Sequence, residues 1–181
     1  MPHLPEHLRV LYAERRQEIA KRLHDFASVP EDRWFYELCF CLCTPQSSAV
    51  HADAVQRELE LSDFFTQGHD VLHILRAPDR YIRFHNTKHR RLHLAREQWG
   101  EIRGLLIAPY TNEPERRDAL AATVNGFGLK EASHFLRNIG KRGLAIIDRH
   151  LLTNMVACGL FEEVPNISTA DRKSTRLNSS H

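Results

Sequence analysis

No apolar run in this chain approaches the roughly 20 residues that a membrane-spanning helix needs, and no charged-then-apolar segment opens it. A soluble, cytoplasmic protein is therefore expected. No stretch sustains the alternation of apolar and polar residues that marks a strand. Neither sign of charge dominates, with 25 Lys and Arg against 23 Asp and Glu. Cysteine is sparse, and Cys39, Cys41 and Cys43 alternate. On a helix such positions diverge and cannot jointly chelate one ion. With Cys158 they read as reduced, small core residues, not as a disulfide framework. No zinc-protease, P-loop, dinucleotide or nucleophilic-serine pattern is present.

The tail Asp171–His181 (DRKSTRLNSSH) matches one reading frame of a common sequencing-library adapter. It is set outside fold reasoning, and the natural sequence is expected to stop near Ala170, C-terminally truncated. Without the tail the charge counts are 22 and 22, so global charge gives no argument for a polyanionic partner. The local distribution does. From Arg80 to Arg103 seven Lys and Arg stand against Glu97 and Glu101, with His85, His89 and His93 among them. Lys130–Arg149 holds Lys130, Arg137, Lys141, Arg142 and Arg149 against Glu131 and Asp148. One such run alone reads as a solvated helix face. Two on a balanced chain suit a face that tracks phosphates. The histidines recur every four residues and could clasp a metal in pairs, but no acidic or cysteine partner stands in the pattern to complete a site, and no metal is expected.

Helical periodicity covers almost the whole chain. Pro5–Phe26 carries Leu8, Leu11, Tyr12, Ile19 and Leu23 on one stripe. Asp32 is placed to cap a helix running to the break at Pro45, and Ser47 or Ser48 to start the next. Further helices are expected over Val71–Arg76, Asp79–Trp99, Ile102–Ala108, Pro114–Thr123, Leu129–Ile139 and Arg149–Cys158, with Gly159 where a C-cap is wanted.

The richest stretch is Val124–Asp148, VNGFGLKEASHFLRNIGKRGLAIID. Gly126 and Gly128 flank Phe127 in a tight turn and can take φ > 0 close to a bulky partner. Helical segments on both sides make this helix, hairpin, helix, and the free N–H groups of the second helix suit a phosphate oxygen. Lys130 falls in that helix's first turn, and Asp148, eighteen residues on, closes an apolar run before another helix.

The strings ELCFCLCTPQSSA, YIRFHNTKHRRL, GFGLKEASHFLRNIG and AIIDRHLL, in that order over Trp34–Pro165, resemble the archaeal-type (type-2) 8-oxoguanine DNA glycosylase/AP lyases of the helix-hairpin-helix superfamily. The resemblance implies an all-α fold of two helical lobes flanking a DNA-binding cleft. Residues 30–140 would form a barrel of helices with the hairpin at 124–128, and 1–29 with 141–170 an incomplete second lobe. Lys130 and Asp148 would then face each other across the cleft. The partner implied is double-stranded DNA containing oxidised guanine, bound by a monomer without cofactor, iron–sulfur cluster or membrane.

The target base must first be flipped out of the stack. Lys130 would attack C1′, displace the base and form a Schiff base. The helix dipole and partial burial would favour its neutral, nucleophilic form. Asp148 would stay ionised and offset charge developing on the sugar, a role compatible with capping the next helix. Gly126, Phe127 and Gly128 would hold backbone phosphate. Gln46 resembles the position from which relatives fill the gap left by the flipped base, with a plain loop glutamine as its rival. Arg83 and Phe84 would contact the unpaired opposite base and wedge the stack, with Phe84 as ordinary core the alternative. Two other functions stay open: a related glycosylase for oxidised pyrimidines, and a non-catalytic DNA-binding module.

Overall fold

The computed structural model describes residues 4–165; the tail 171–181 lies outside them. Among the described residues all regular structure is helical: α1 Glu6–Ala27, α2 Trp34–Cys43, α3 Ala49–Leu61, α4 Phe64–Gln67, α5 Leu72–Arg76, α6 His85–Glu97, α7 Trp99–Ile107, α8 Glu113–Thr123, α9 Leu129–Asn138 and α10 Arg149–Ala157. Single 3-10 turns precede α2 (Glu31–Arg33) and α6 (Pro78–Arg80). The chain divides into two compact units, one spanning Lys21–Ile146 and the other joining the chain up to Ala20 with the segment from Ile147.

In the larger unit α2 is the axis. It is apolar on every side, and a helix hydrophobic all round is a buried one. Phe35, Leu38, Cys39, Cys41, Leu42 and Cys43 are all buried, and α3, α6 and α9 pack around them. The three thiols are fully buried and unbridged. Loss of solvent pushes all three up, Cys43 to about 12, so they stay protonated. Glu37 is the polar exception on α2. Its carboxylate accepts from Gln56 Nε2 of α3 at 2.9 Å and from Asn138 Nδ2 of α9 at 3.0 Å, which satisfies two buried amides. Arg116 of α8 serves the same purpose, donating to the carbonyls of Leu105, Leu106 and Ala108 at the end of α7.

Several expected boundaries shift for local reasons. Ser48 caps α3, its Oγ accepting from the Val50 N–H at 3.2 Å. Asp32 does not cap α2; it sits inside the 3-10 turn, and the cap position is Arg33 without a side-chain bond. The helix expected over Asp79–Trp99 is three pieces. A 3-10 turn ends at Arg80, Phe84 enters the left-handed region at φ 58°, and α6 runs only from His85 to Glu97. Trp99 opens α7 instead. The histidine run on α6 has an acidic neighbour that its spacing concealed, since Asp70 Oδ1 lies 3.6 Å from His89 Nε2. Among the described residues no group of three His, Cys, Asp or Glu is arranged to hold a metal ion.

In the smaller unit α10 is capped by Asp148, whose Oδ1 accepts from the Leu151 N–H at 2.9 Å. Leu152 is the buried residue of α10. No residue of α1, which runs from this unit into the other, is buried.

Candidate active site

The hairpin is built from both ends. Asn112 caps α8, accepting from the Glu115 N–H at 3.0 Å, and α8 runs unbroken to Thr123. The Phe127 N–H then donates to the Val124 carbonyl at 3.0 Å, closing the turn. Gly126 sits at φ 98°, a region L residues avoid. The Arg91 side chain of α6 lies across it: a Cβ built on Gly126 would stand 2.6 Å from Arg91 Cδ and Nε. Arg91 Nε donates to Asn125 Oδ1 at 3.2 Å, so α6 is fastened to the hairpin tip.

The two glycines of the turn are not equivalent. Gly128 has φ −104° and ψ −174°, ordinary extended backbone, and serves as the N-cap of α9. Its N–H is already engaged, donating to Glu131 Oε2 at 3.1 Å. The N–H groups left without a helical acceptor are those of the first turn proper. Phe127 is buried, its ring 6.0 Å from Phe135. Its side chain anchors the hairpin to the core.

Lys130 is the second residue of α9 and its side chain is exposed. The partial burial expected for it is absent, because the buried stripe of α9 runs through Ala132, Ser133, Phe135 and Leu136 and passes it by. One turn on, His134 stands edge-on to Phe40, ring centroids 5.6 Å apart. Burial, aided by the charges of Arg137 and Lys130, brings His134 down to about 4, so it is neutral near pH 7. Asp148 belongs to the smaller unit and is half-buried there at its cap position.

Gln46, Arg83 and Phe84 come together on two neighbouring loops of the larger unit. Gln46 (φ 56°) and Phe84 (φ 58°) are both left-handed without being glycine. Such backbone persists only where the surroundings over-determine it, and it clusters at working sites. Phe84 is 54% exposed, which rules out the core reading of that ring. The Arg83 guanidinium lies over it, 5.5 Å from the centroid. Gln46 is exposed as well. Between the loops lies Lys88, 2% exposed, a residue whose spacing on α6 reads only as one more cation of a basic run. Arg91, Glu131 and His134 were equally silent in the sequence, since nothing local distinguishes them from surface charge.

Residues 19–176 match the family described as 8-oxoguanine DNA glycosylase. The chain is 33% identical over 156 residues to the 8-oxoguanine DNA glycosylase/AP lyase of Methanocaldococcus jannaschii, which covers 84% of this chain and 73% of that protein. It is similar to the crystal structure of the Thermotoga maritima 8-oxoguanine DNA glycosylase, with a TM-score of 0.78 and 27% identity over 94% of this chain and 81% of that one. It is similar also to the M. jannaschii enzyme in complex with a 15mer DNA containing 8-oxoguanine, with a TM-score of 0.72 and 28% identity over 89% of this chain and 77% of that one.

Proposed function

The chain belongs to the 8-oxoguanine DNA glycosylase family, and from that premise we propose that Lys130 is its nucleophile and Asp148 the carboxylate that works with it. The activity is removal of 8-oxoguanine from DNA followed by strand cleavage at the resulting site, the pair of activities for which the relatives are named. That pair sets aside oxidised pyrimidines as the substrate and a purely binding role. The observation that carries the residue assignment is the position of Lys130. It is exposed, in the first turn of α9, two residues past a hairpin followed by helix N–H groups of the kind that suit a phosphate.

The neutral amine of Lys130 attacks C1′ as the C1′–N bond breaks, and the electron pair leaves with the base, which takes up a proton. The attacking nitrogen loses a proton and the sugar ring opens at O4′, giving a Schiff base between Nζ and C1′. Removal of a C2′ proton then expels the 3′ phosphate with the C3′–O electron pair. Water releases the unsaturated aldehyde and restores the lysine. Asp148, as a carboxylate, offsets positive charge on the sugar and carries protons between these steps. Its cap bond to Leu151 fixes one oxygen and leaves the other for that task.

Borohydride reduces a Schiff base to a stable amine, so incubation with a duplex carrying 8-oxoguanine opposite cytosine should leave a covalent protein–DNA adduct. Lys130→Ala should lose the adduct and the strand cleavage together. An adduct that survives Lys130→Ala would move the nucleophile to another amine.

A further inference from the structure

The two loops that carry Gln46 and Phe84 meet at a single buried ammonium. Lys88 Nζ donates to the Cys43 carbonyl at 2.7 Å, to the Pro45 carbonyl at 2.6 Å and to Ser47 Oγ at 3.1 Å. A lysine ammonium has three donors and no acceptor, so this set of partners uses all of them. The first partner is the last residue of α2, and the other two, Pro45 and Ser47, flank Gln46 on either side. Ser47 Oγ also accepts the Arg83 backbone N–H at 3.0 Å, which ties the first loop to the second. The second loop leads directly into α6, whose first helical bond runs from the Lys88 N–H to the Phe84 carbonyl at 3.0 Å, as it would for other residues at that position. The Lys88 side chain therefore holds the Gln46 loop directly and reaches the Phe84 loop through Ser47 Oγ and the Arg83 N–H. Its neighbour on the same helix, Arg91, fastens the hairpin tip.

A buried lysine is costly to desolvate, and a hydrophobic residue of the same length would fill the space without that cost. What the ammonium adds is geometry. Strained backbone at two separate positions stays strained only while something holds it, and here the ammonium braces one loop and, through Ser47, the other. Gln46 and Phe84 then move as one body with the hairpin, and do not sample independent loop conformations. For a protein that must open a duplex at one base pair, that fixes the distance between the part gripping phosphate and the parts entering the stack.

We propose that Lys88 is a positioning residue that locks the Gln46 and Phe84 loops into a single preformed wedge for duplex DNA. This rests on the reading of the chain as an enzyme that removes a base from duplex DNA. The test compares wild type with Lys88→Met and Ser47→Ala on two substrates in single turnover. One is a duplex with 8-oxoguanine opposite cytosine; the other is a single strand with a preformed abasic site, which needs neither flipping nor a wedge. Lys88→Met should slow excision from the duplex at least about tenfold, the scale on which small misplacements register. Ser47→Ala, which cuts only the link between the loops, should show a smaller loss of the same kind. Both variants should cleave the abasic single strand within about twofold of wild type. Adding Gln46→Ala to Lys88→Met should cost little more, since residues acting as one unit are not additive.

Equal losses on both substrates would overturn the proposal, as would a folded Ser47→Ala that matches wild type on the duplex. If Lys88→Met does not fold, Ser47→Ala carries the test. A 2-aminopurine beside the lesion reports unstacking on binding without any chemistry. A wild type that unstacks it but cuts neither substrate refutes the activity reading and leaves the wedge standing. Unstacking that is unchanged in both variants refutes the wedge alone.

Discussion

At the scale of single residues, Gly126 and Gly128 separate two reasons for a glycine that the string GFG makes look alike. Gly126 needs its missing Cβ twice, for a φ of 98° and for the Arg91 side chain laid against it. Gly128 needs it hardly at all: its φ is negative, and a Cβ would meet only the flexible end of Glu131 at 3.2 Å. Gly126→Ala should therefore destabilise the protein by about 1–3 kcal/mol, the cost of holding an L residue in a disfavoured region. It should also weaken DNA binding, because the displaced Arg91 no longer holds the hairpin tip. Gly128→Ala should stay within about 0.5 kcal/mol of wild type, as substitutions without strain or lost burial do. Urea midpoints for the two variants decide the matter, and similar values would show that the turn tolerates a side chain at either place. Glu131 adds a second residue-scale point. Its carboxylate already occupies one N–H of the hairpin's nest, and an approaching phosphate has to share that end of the helix with it.

At the scale of elements, what could be read from sequence depended on whether the cause was local. α2 was legible because its ten residues are nearly all apolar, and α9 because its apolar positions fall on one side. The hairpin was legible from its glycines, and the all-α class from the lack of alternation. The break inside the segment expected as Asp79–Trp99 was not. No proline or glycine interrupts it, and the Ser47 hydroxyl that takes up the Arg83 N–H just before the left-handed Phe84 is brought there by the fold. For the same reason the strings that carry Gln46 and Phe84 gave a turn at Gln46 but a helix through Phe84, and did not reveal that Ser47, held by the Lys88 ammonium, joins the two. α9 allows a test at this scale. His134 is held at about 4, chiefly by burial, against an unfolded value near 6.5. Above pH 6.5 neither state binds the proton. Below it the unfolded chain takes one up and the folded chain refuses it until about pH 4, so stability is lost as the pH falls through that window. His134→Leu should remove this part of the acid limb, about 1–3 kcal/mol between pH 7 and pH 4. Denaturant melts at both pH values would show it, and an unchanged pH dependence would mean that the ring protonates freely in the folded state.

At the scale of the whole molecule, the structure revises the role of charge. Twelve Lys and Arg in the two basic stretches suggested one long phosphate-tracking face, but many of them are employed within the protein. Lys88 is buried under the wedge loops. Arg96 donates to the carbonyls of Phe65 and Thr66 behind α4, and Arg103 pairs with Glu31. Arg80 lies against Glu58 and Asp79. Arg137 stacks on Phe26, and Lys141 lies over the Trp34 ring. Arg83 lies over Phe84, Arg91 is bonded to Asn125 and Lys130 serves as an amine, so among the described residues of these stretches the cations left for a polyanion are Arg90, Arg142 and Arg149. Each phosphate neutralised on duplex DNA contributes about −0.9 to the slope of log K against log salt concentration. The full set would give a slope near −11 and the remaining three a slope near −3. We expect the shallower value for undamaged duplex, measured by fluorescence anisotropy between 50 and 200 mM salt (roughly the range over which the effect is large). A slope near −11 would mean that the internal pairs open on binding. A shallow slope would place the burden of recognition on shape instead, on the hairpin proposed to hold backbone phosphate and the wedge proposed to open a base pair. A chain with no net charge outside its tail is suited to that division, since weak general attraction leaves it free to leave undamaged sites quickly.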